Sequence, residues 1–195
     1  RLVPFFIDDG LRRVIGGRQE WGVTAEMFGG FPRFEVIRTA ELVLPWFEGV
    51  EDGTLKREMF RSLYTLTSNK HLAALGADWI ADGTIFPDIV MTEENRQIQH
   101  NVNLPYSMRK LEPFSALYKP HVRRVAAHLG MPRDFAMRIP CPGPAQLLRV
   151  GGAFSADKLR VSKLATDAVE TMLCEHLDRA WGEPFRYDET TGVRT

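Results

Sequence analysis

Leu2 to Ile7 is a continuous apolar run closed by Asp8-Asp9-Gly10. A strand of that composition offers no polar face to water and must be covered on both sides, the condition of a parallel strand between helices. The rest of the chain repeats the theme. Gln19–Phe28, apolar at Trp21, Val23, Met27 and Phe28, reads as a helix stopped by Gly29-Gly30. Phe34–Arg38 is a second short strand, followed by a helical turn around Glu41–Phe47. Thr54–Leu75 carries Met59, Phe60, Leu63, Leu66 and Leu72 at helical spacing, with Thr54 as N-cap and Gly76 as stop. Trp79–Ala81 is a third strand. Ser115–Leu129 is a helix ended by Gly130 and Pro132, and Ala156–Trp181 is a last, long helix. Residues 11–17, basic and glycine-rich, and 91–110, polar, read as loops. This alternation predicts an α/β fold, a parallel sheet sandwiched between helices, with ligands bound beyond the carboxyl ends of the strands.

The 195 residues fit one domain or one domain with a small appendage, divided here as 1–150 (α/β domain) and 151–195 (C-terminal helix and tail). Lys+Arg and Asp+Glu both count 25, so no basic excess points to nucleic acid. Two cysteines, Cys141 and Cys174, exclude a disulfide framework and a four-cysteine zinc site and suit a reducing cytoplasm. No apolar run approaches the about 18 residues of a bilayer span. Position 1 is Arg rather than Met, so the start of the gene product is expected upstream.

Three segments carry chemistry. Ile7-Asp8-Asp9-Gly10 ends a strand in carboxylates and a glycine, which can hold an adenine by backbone hydrogen bonds; a plain turn is the alternative. In Gly83-Thr84-Ile85-Phe86-Pro87-Asp88, glycine permits close approach and threonine supplies a hydroxyl. Asp88 can bind a cation or accept a hydrogen bond; an ordinary strand exit is the alternative. Arg138-Ile139-Pro140-Cys141-Pro142-Gly143-Pro144 is excluded from helix and central strand by its three prolines. It is either a stiff linker or a rigid turn in which Arg138 and Arg149 clamp a phosphate or carboxylate.

In order and spacing these segments resemble the ATP-pyrophosphatase domain of GMP synthases, of the adenine nucleotide alpha-hydrolase-like (PP-loop) superfamily. Phe5–Leu11 is similar to the family's "FVDNGLL", Lys56-Arg57 to its helix-opening Lys-Arg pair, and Ala81–Asp88 to "AQGTIYPD". His100-Asn101-Val102 with Leu104-Pro105 resembles the end of "KSHHNVGGLP". Glu112-Pro113 with Leu117-Tyr118-Lys119 resembles "EPLRELFK", and Leu129–Pro132 resembles "LGLP". Arg138–Gly152 resembles "RHPFPGPGLAIRVLGE". The resemblance implies an enzyme that uses ATP and Mg2+ to adenylylate a carbonyl oxygen of a purine-type acceptor, after which ammonia displaces AMP. It implies that Ile7, Asp8, Asp9, Gly10, Gly83 and Thr84 line the nucleotide cleft. Arg138, Pro142, Gly143, Arg149 and His100 would lie on the acceptor side, with Asp88 and Arg138 as catalytic candidates and Asp88 as a candidate Mg2+ contact. The implied partners are a small-molecule acceptor, a separate glutaminase subunit as ammonia source (free ammonia is the alternative), and a second copy of the chain.

Departures from the pattern are equally specific. The family's "SGGVDS" pyrophosphate loop belongs on a strand before Leu2, where an upstream segment is expected to supply it together with Mg2+ contacts. Gln97 stands where the family has a lysine, losing a charge-assisted contact worth roughly 1.5–3 kcal/mol. Arg96 or Arg109 would compensate if their loop folds over the site. Asp82 replaces the glutamine of "AQGT", which puts xanthosine monophosphate as acceptor in question. Two alternatives remain open: sulfur transfer to a nucleobase through Cys141, and nucleotide binding without catalysis.

Overall fold

The computed structural model describes residues 2–93, 102–141 and 143–181. The chain forms two compact units, Arg1–Tyr64 with Cys141–Glu175, and Thr65–Pro140 with His176–Thr195. The fold is α/β as expected, with its parallel strands in two separate pairs, β1 (Phe5–Asp8) with β4 (Glu35–Arg38) and β5 (Trp79–Ala81) with β6 (Arg109–Leu111).

In the first unit, β1 (Phe5–Asp8) leads through a hairpin, β2 (Val14–Ile15) and β3 (Arg18–Gln19), to α1 (Glu20–Phe28) and then β4 (Glu35–Arg38). β1 and β4 pair in parallel with Ile7 opposite Ile37 and Asp8 opposite Arg38. The basic segment 11–17 is thus a tight hairpin rather than a loop. Gly16 and Gly17 both have positive φ (56° and 77°), the backbone that a two-residue turn needs to match strand twist. Beyond β4 come α2 (Ala40–Val43), a 3-10 turn (Leu44–Phe47) and α3 (Gly53–Leu75). α3 is capped by Asp52, whose Oδ1 accepts the Leu55 amide at 2.7 Å, not by Thr54 as expected. α7 (Ala145–Arg149) and α8 (Ala156–Trp181) complete the unit's elements, α8 with the bounds expected from its periodicity. The core is Leu11, Val43, Phe47, Phe60, Leu147, Val150, Phe154 and Leu159. Lys56 is buried beside it and donates to the carbonyls of Val150 (2.8 Å) and Gly152 (2.9 Å), tying the start of α3 to the segment after α7.

In the second unit, β5 (Trp79–Ala81), α4 (Phe86–Glu93), β6 (Arg109–Leu111), α5 (Lys119–His128) and α6 (Arg133–Ala136) follow in order. β5 and β6 pair in parallel, Ile80 opposite Lys110. The loop expected over 91–110 is corrected at both ends. α4 reaches Glu93, and Arg109–Leu111 is a strand whose polar sequence carries no apolar alternation to announce it. α5 begins at Lys119 rather than Ser115, because the ring of Pro120 clashes with the carbonyl four residues earlier and confines Pro120 to a first turn. The stops at Gly76 and Gly130 are as expected. Each has positive φ and sits in a pair of 5→2 and 6→1 bonds: Gly76 to Ala73 with Ala77 to Leu72, and Gly130 to Ala127 with Met131 to Ala126. No helix among the described residues is long and apolar enough to cross a membrane.

Candidate functional site

The exit of β1 is the best-built polar feature of the first unit. Asp8 and Asp9 are buried. Each carboxylate folds back on the turn that follows it, Asp8 Oδ1 accepting the Gly10 amide at 3.3 Å and Asp9 Oδ1 the Leu11 amide at 2.9 Å. Asp8 Oδ2 faces Arg38 Nε at 3.7 Å, and Asp9 Oδ2 faces Arg12 Nη2 at 3.5 Å. Burial pushes the Asp9 carboxyl above its ordinary range, with Arg12 and the Leu11 amide opposing it. The Arg12 guanidinium is penalised by its own burial, but Asp9, Tyr64 and Glu20 outweigh this and raise its pKa. The carbonyls are occupied as well. Ile7 O accepts from Arg12 Nε (3.3 Å), Asp8 O accepts the Thr39 amide (2.8 Å), and Gly10 O accepts Lys163 Nζ from α8. Gly10 has φ +78°, and a Cβ there would lie 2.9 Å from both Ala40 Cβ and Leu44 Cδ1. Only glycine fits this turn.

α8 holds the same region through several side chains. Asp167 accepts the Gly16 and Gly17 amides at 2.7 and 2.8 Å, and Glu170 pairs with the buried Arg13 at 3.2 Å. The proline-rich segment packs here too. A Cβ on Gly143 would sit 2.7 Å from Phe60 Cζ and 3.2 Å from Arg12 Nη1, so its backbone lies directly against the Asp9–Arg12 pair. Arg149 is exposed and donates to Thr166 Oγ1 at 3.1 Å. Burial raises the Cys141 thiol above its ordinary value against the pull of Arg13, which keeps it protonated and poorly nucleophilic at neutral pH.

In the second unit, Gly83 follows β5 and donates its amide to Asp82 Oδ1 at 2.8 Å; a side chain there would meet nothing within 4 Å. Thr84 is fully buried and hydrogen-bonded to Glu112. Phe86-Pro87-Asp88 opens α4, where Asp88 Oδ2 accepts the Ile85 amide at 3.2 Å, a carboxylate reaching back over the first turn. The departure at Asp82 comes with its own counter-ion. Lys110 lies 3.5 Å from Asp82 Oδ2 and 2.7 Å from Glu112 Oε1. Burial nevertheless raises the Asp82 carboxyl, while hydrogen bonds from Lys110 and Thr84 overcome the burial of Glu112 and lower it. Arg138 stacks on Phe135 at 4.3 Å, and its carbonyl accepts from the buried Arg123 at 3.1 Å. Lys119 is pushed below the usual lysine value by burial and then by Arg123 and Arg138, with Asp88 pulling the other way. Asp88, Lys119, Arg123 and Arg138 therefore share one charged corner.

Of the residues expected to serve the nucleotide cleft and the acceptor side, Ile7, Asp8, Asp9, Gly10, Gly143 and Arg149 fall in the first unit. Gly83, Thr84, Asp88 and Arg138 fall in the second. Pro142, His100, Gln97 and Arg96 lie outside the described residues; Arg109 opens β6 and stacks on Trp79 at 4.1 Å. Sequence reasoning did not single out Arg12, Lys119, Arg123 or Lys163. Arg12 stood in a basic segment taken for a loop, and Lys119 in a matched motif; a lysine on a long helix gives no signal of where it points. No group of three or more His, Cys, Asp or Glu among the described residues is arranged to hold a metal ion.

Parallel strand pairs with helices between successive strands make this an α/β chain. No family model matches the chain. The chain is 32% identical over 183 residues, 90% of its length, to a subunit of the glutamine-hydrolyzing GMP synthase of Sulfurisphaera tokodaii, covering 48% of that protein. It is 32% identical over 180 residues to the subunit of the same name from Archaeoglobus fulgidus, covering 90% of this chain and 58% of that protein. The Methanococcus vannielii protein of that name is 30% identical over 167 residues, 85% of this chain and 53% of its own length. The chain is a divergent relative of the ATP-pyrophosphatase domain of GMP synthases, and it spans about half the length of the curated relatives it matches.

Proposed function

We propose that this chain takes part in ATP-dependent adenylylation of a carbonyl oxygen on a purine-nucleotide-type acceptor, followed by displacement of AMP by ammonia. The observation that carries the reading is the similarity to these GMP synthase subunits over 85–90% of the chain, at 30–32% identity. Activation is chemically necessary because an amide-like carbonyl oxygen is a poor leaving group and AMP a good one. The residues' contribution is positioning and charge neutralisation. The β1-exit turn, held by Arg12, Thr39 and Lys163, would present a fixed backbone edge to the adenine. Gly143 and Arg149 would border the acceptor in the same unit, and Lys119, Arg123 and Arg138 would supply positive charge for phosphate oxygens. Mg2+ would accompany the triphosphate, with the Asp88 carboxylate at the start of α4 as its candidate contact in this chain.

Ammonia would come from a separate glutaminase subunit, a reading supported by the relatives' names, each one subunit of a glutamine-hydrolyzing enzyme. The test is pyrophosphate release by the full gene product with ATP, ammonium and xanthosine monophosphate, then other purine nucleotides. Release that requires both acceptor and ammonium is expected. ATP binding without pyrophosphate release over the whole acceptor panel would favour a non-catalytic nucleotide-binding protein instead. Sulfur transfer is disfavoured by the raised Cys141 thiol pKa, and Cys141→Ala is expected to retain full turnover.

A further inference from the structure

Among the described residues, two arginines lie over tryptophan rings, one in each unit, and they stand at opposite ends of their strand pairs. Arg109 is the first residue of β6, and its guanidinium carbon is 4.1 Å from the centre of the ring of Trp79, the first residue of β5. That stack marks the amino end of the β5–β6 pair. Arg38 is the last residue of β4 and lies 4.7 Å from the centre of the Trp21 ring on α1. Its register partner is Asp8, the last residue of β1, so Arg38 marks the carboxyl end of the β1–β4 pair. Ligands of parallel sheets bind beyond carboxyl ends. Of the two arginines, Arg38 is the one placed to meet a ligand.

Its own fold asks little of it. The side chain is 65% exposed, and its approach to Asp8, Nε to Oδ2, is 3.7 Å, longer than a hydrogen bond. Asp8 is buried and gives Oδ1 to the Gly10 amide, so an anion arriving from solvent meets the guanidinium before the carboxylate. The Trp21 ring holds the plane of the guanidinium fork, which leaves less side-chain freedom to lose on binding. An exposed, pre-oriented arginine of this kind suits phosphate, whose oxygens it can take two at a time. The charge also meets a gap in the sequence, since Gln97 stands where the resembled family has a lysine. Arg109, one of the two residues expected to compensate, is at the amino end of its strand pair. Arg38 is one strand spacing, about 4.8 Å, from the β1 backbone expected to seat the adenine, well within the length of a nucleotide. We propose that Arg38, steadied by Trp21, binds a phosphate group of the nucleotide whose adenine rests on the β1 exit. This rests on the reading of the β1 exit given above and adds the residue that tells a phosphorylated nucleoside from a bare one.

Calorimetric titration of the full gene product with ATP and with adenosine tests it. The wild type is expected to bind ATP more tightly than adenosine. Arg38→Gln should weaken ATP binding about ten- to a hundredfold, the worth of a charge-assisted contact, and leave adenosine within about twofold. Arg38→Lys keeps the charge without the fork and should recover only part of the loss. Trp21→Leu should weaken ATP binding about threefold through the freed guanidinium, again sparing adenosine. Equal losses for ATP and adenosine in Arg38→Gln would show that Arg38 only steadies Asp8 and the turn, and would overturn the proposal. ATP affinity untouched by Arg38→Gln, or a loss carried by Arg109→Gln instead, would overturn it too. A wild type that binds neither ligand would overturn the reading of the β1 exit and this inference with it.

Discussion

Gly10→Ala tests whether the β1-exit turn is as tightly specified as its contacts indicate. Two separate costs apply. The residue sits at φ +78°, where a Cβ crowds its own backbone, costing about 1–2 kcal/mol. The new methyl would also lie 2.9 Å from Ala40 Cβ and from Leu44 Cδ1, inside the roughly 3.5–4.0 Å of an ordinary carbon contact. Leu44 can rotate, but Ala40 is a methyl fixed to the start of α2, so relief requires the helix to move. Overpacking of that kind costs about 1–3 kcal/mol. The total is about 2–5 kcal/mol. Gly49 supplies the control, since its φ is +76° and a methyl on its Cα would meet nothing within 4 Å. Gly49→Ala therefore carries only the backbone cost, and the difference between the two variants isolates the clash. Urea unfolding followed by far-UV circular dichroism should give midpoints in the order wild type, Gly49→Ala, Gly10→Ala, with equal slopes. Coincident midpoints for the two variants would refute the account of Gly10 as a packing position.

Asp52→Ala should cost about 1 kcal/mol through loss of the α3 cap, whereas Thr54→Ala should stay within about 0.5 kcal/mol; thermal melts separate the two. Lys56→Ala removes a buried ammonium that serves two carbonyls and should destabilise by roughly 2–5 kcal/mol in urea titrations; a loss under about 1 kcal/mol would show those bonds to be dispensable. Burial holds Lys163 below its ordinary value of 10.5, against the pull of Asp8, Asp9 and Glu20. Between the folded and unfolded values the unfolded chain binds the proton and the folded chain does not, so stability rises with pH across that window and the penalty of burying the charge is fully present below it. Lys163→Met should flatten the alkaline rise in urea midpoints without abolishing it, because Lys56 and Lys119 are shifted in the same direction.

Much of the frame was readable because it rests on strong local rules. Gly76 and Gly130 ended helices where periodicity ran out, and the spacing from Ala156 to Trp181 gave the last helix whole. The misses also have physical causes. Arg109–Leu111 is a strand only because β5 offers it a partner, and nothing in Arg-Lys-Leu itself favours pairing. Asp52 outcompeted Thr54 as a cap although both are good capping residues, since a helix start two residues earlier puts the carboxylate in reach of the Leu55 amide. At the candidate site, motifs located the segments but not the jobs of their side chains. Asp8 and Asp9 commit oxygens to the turn that contains them, and Thr84 is buried against Glu112. The residues that fix the β1 exit, Arg12 and Lys163, come from a hairpin and from a helix 153 positions away from Gly10, and only the folded chain brings them together.

That long-range contact can be broken from the helix side. Lys163→Met leaves the Gly10 carbonyl without the ammonium that reaches it from α8. On the proposal that the β1 exit presents its backbone edge to the adenine, this loss should weaken ATP binding severalfold. Lys158→Met is the control on the same helix, because the Lys158 ammonium goes to the Ala153 carbonyl (2.8 Å), and it should leave ATP affinity unchanged. Titrating both variants with ATP by calorimetry separates the two. Equal losses of affinity would show that Lys163 acts through the helix as a whole and not through the turn.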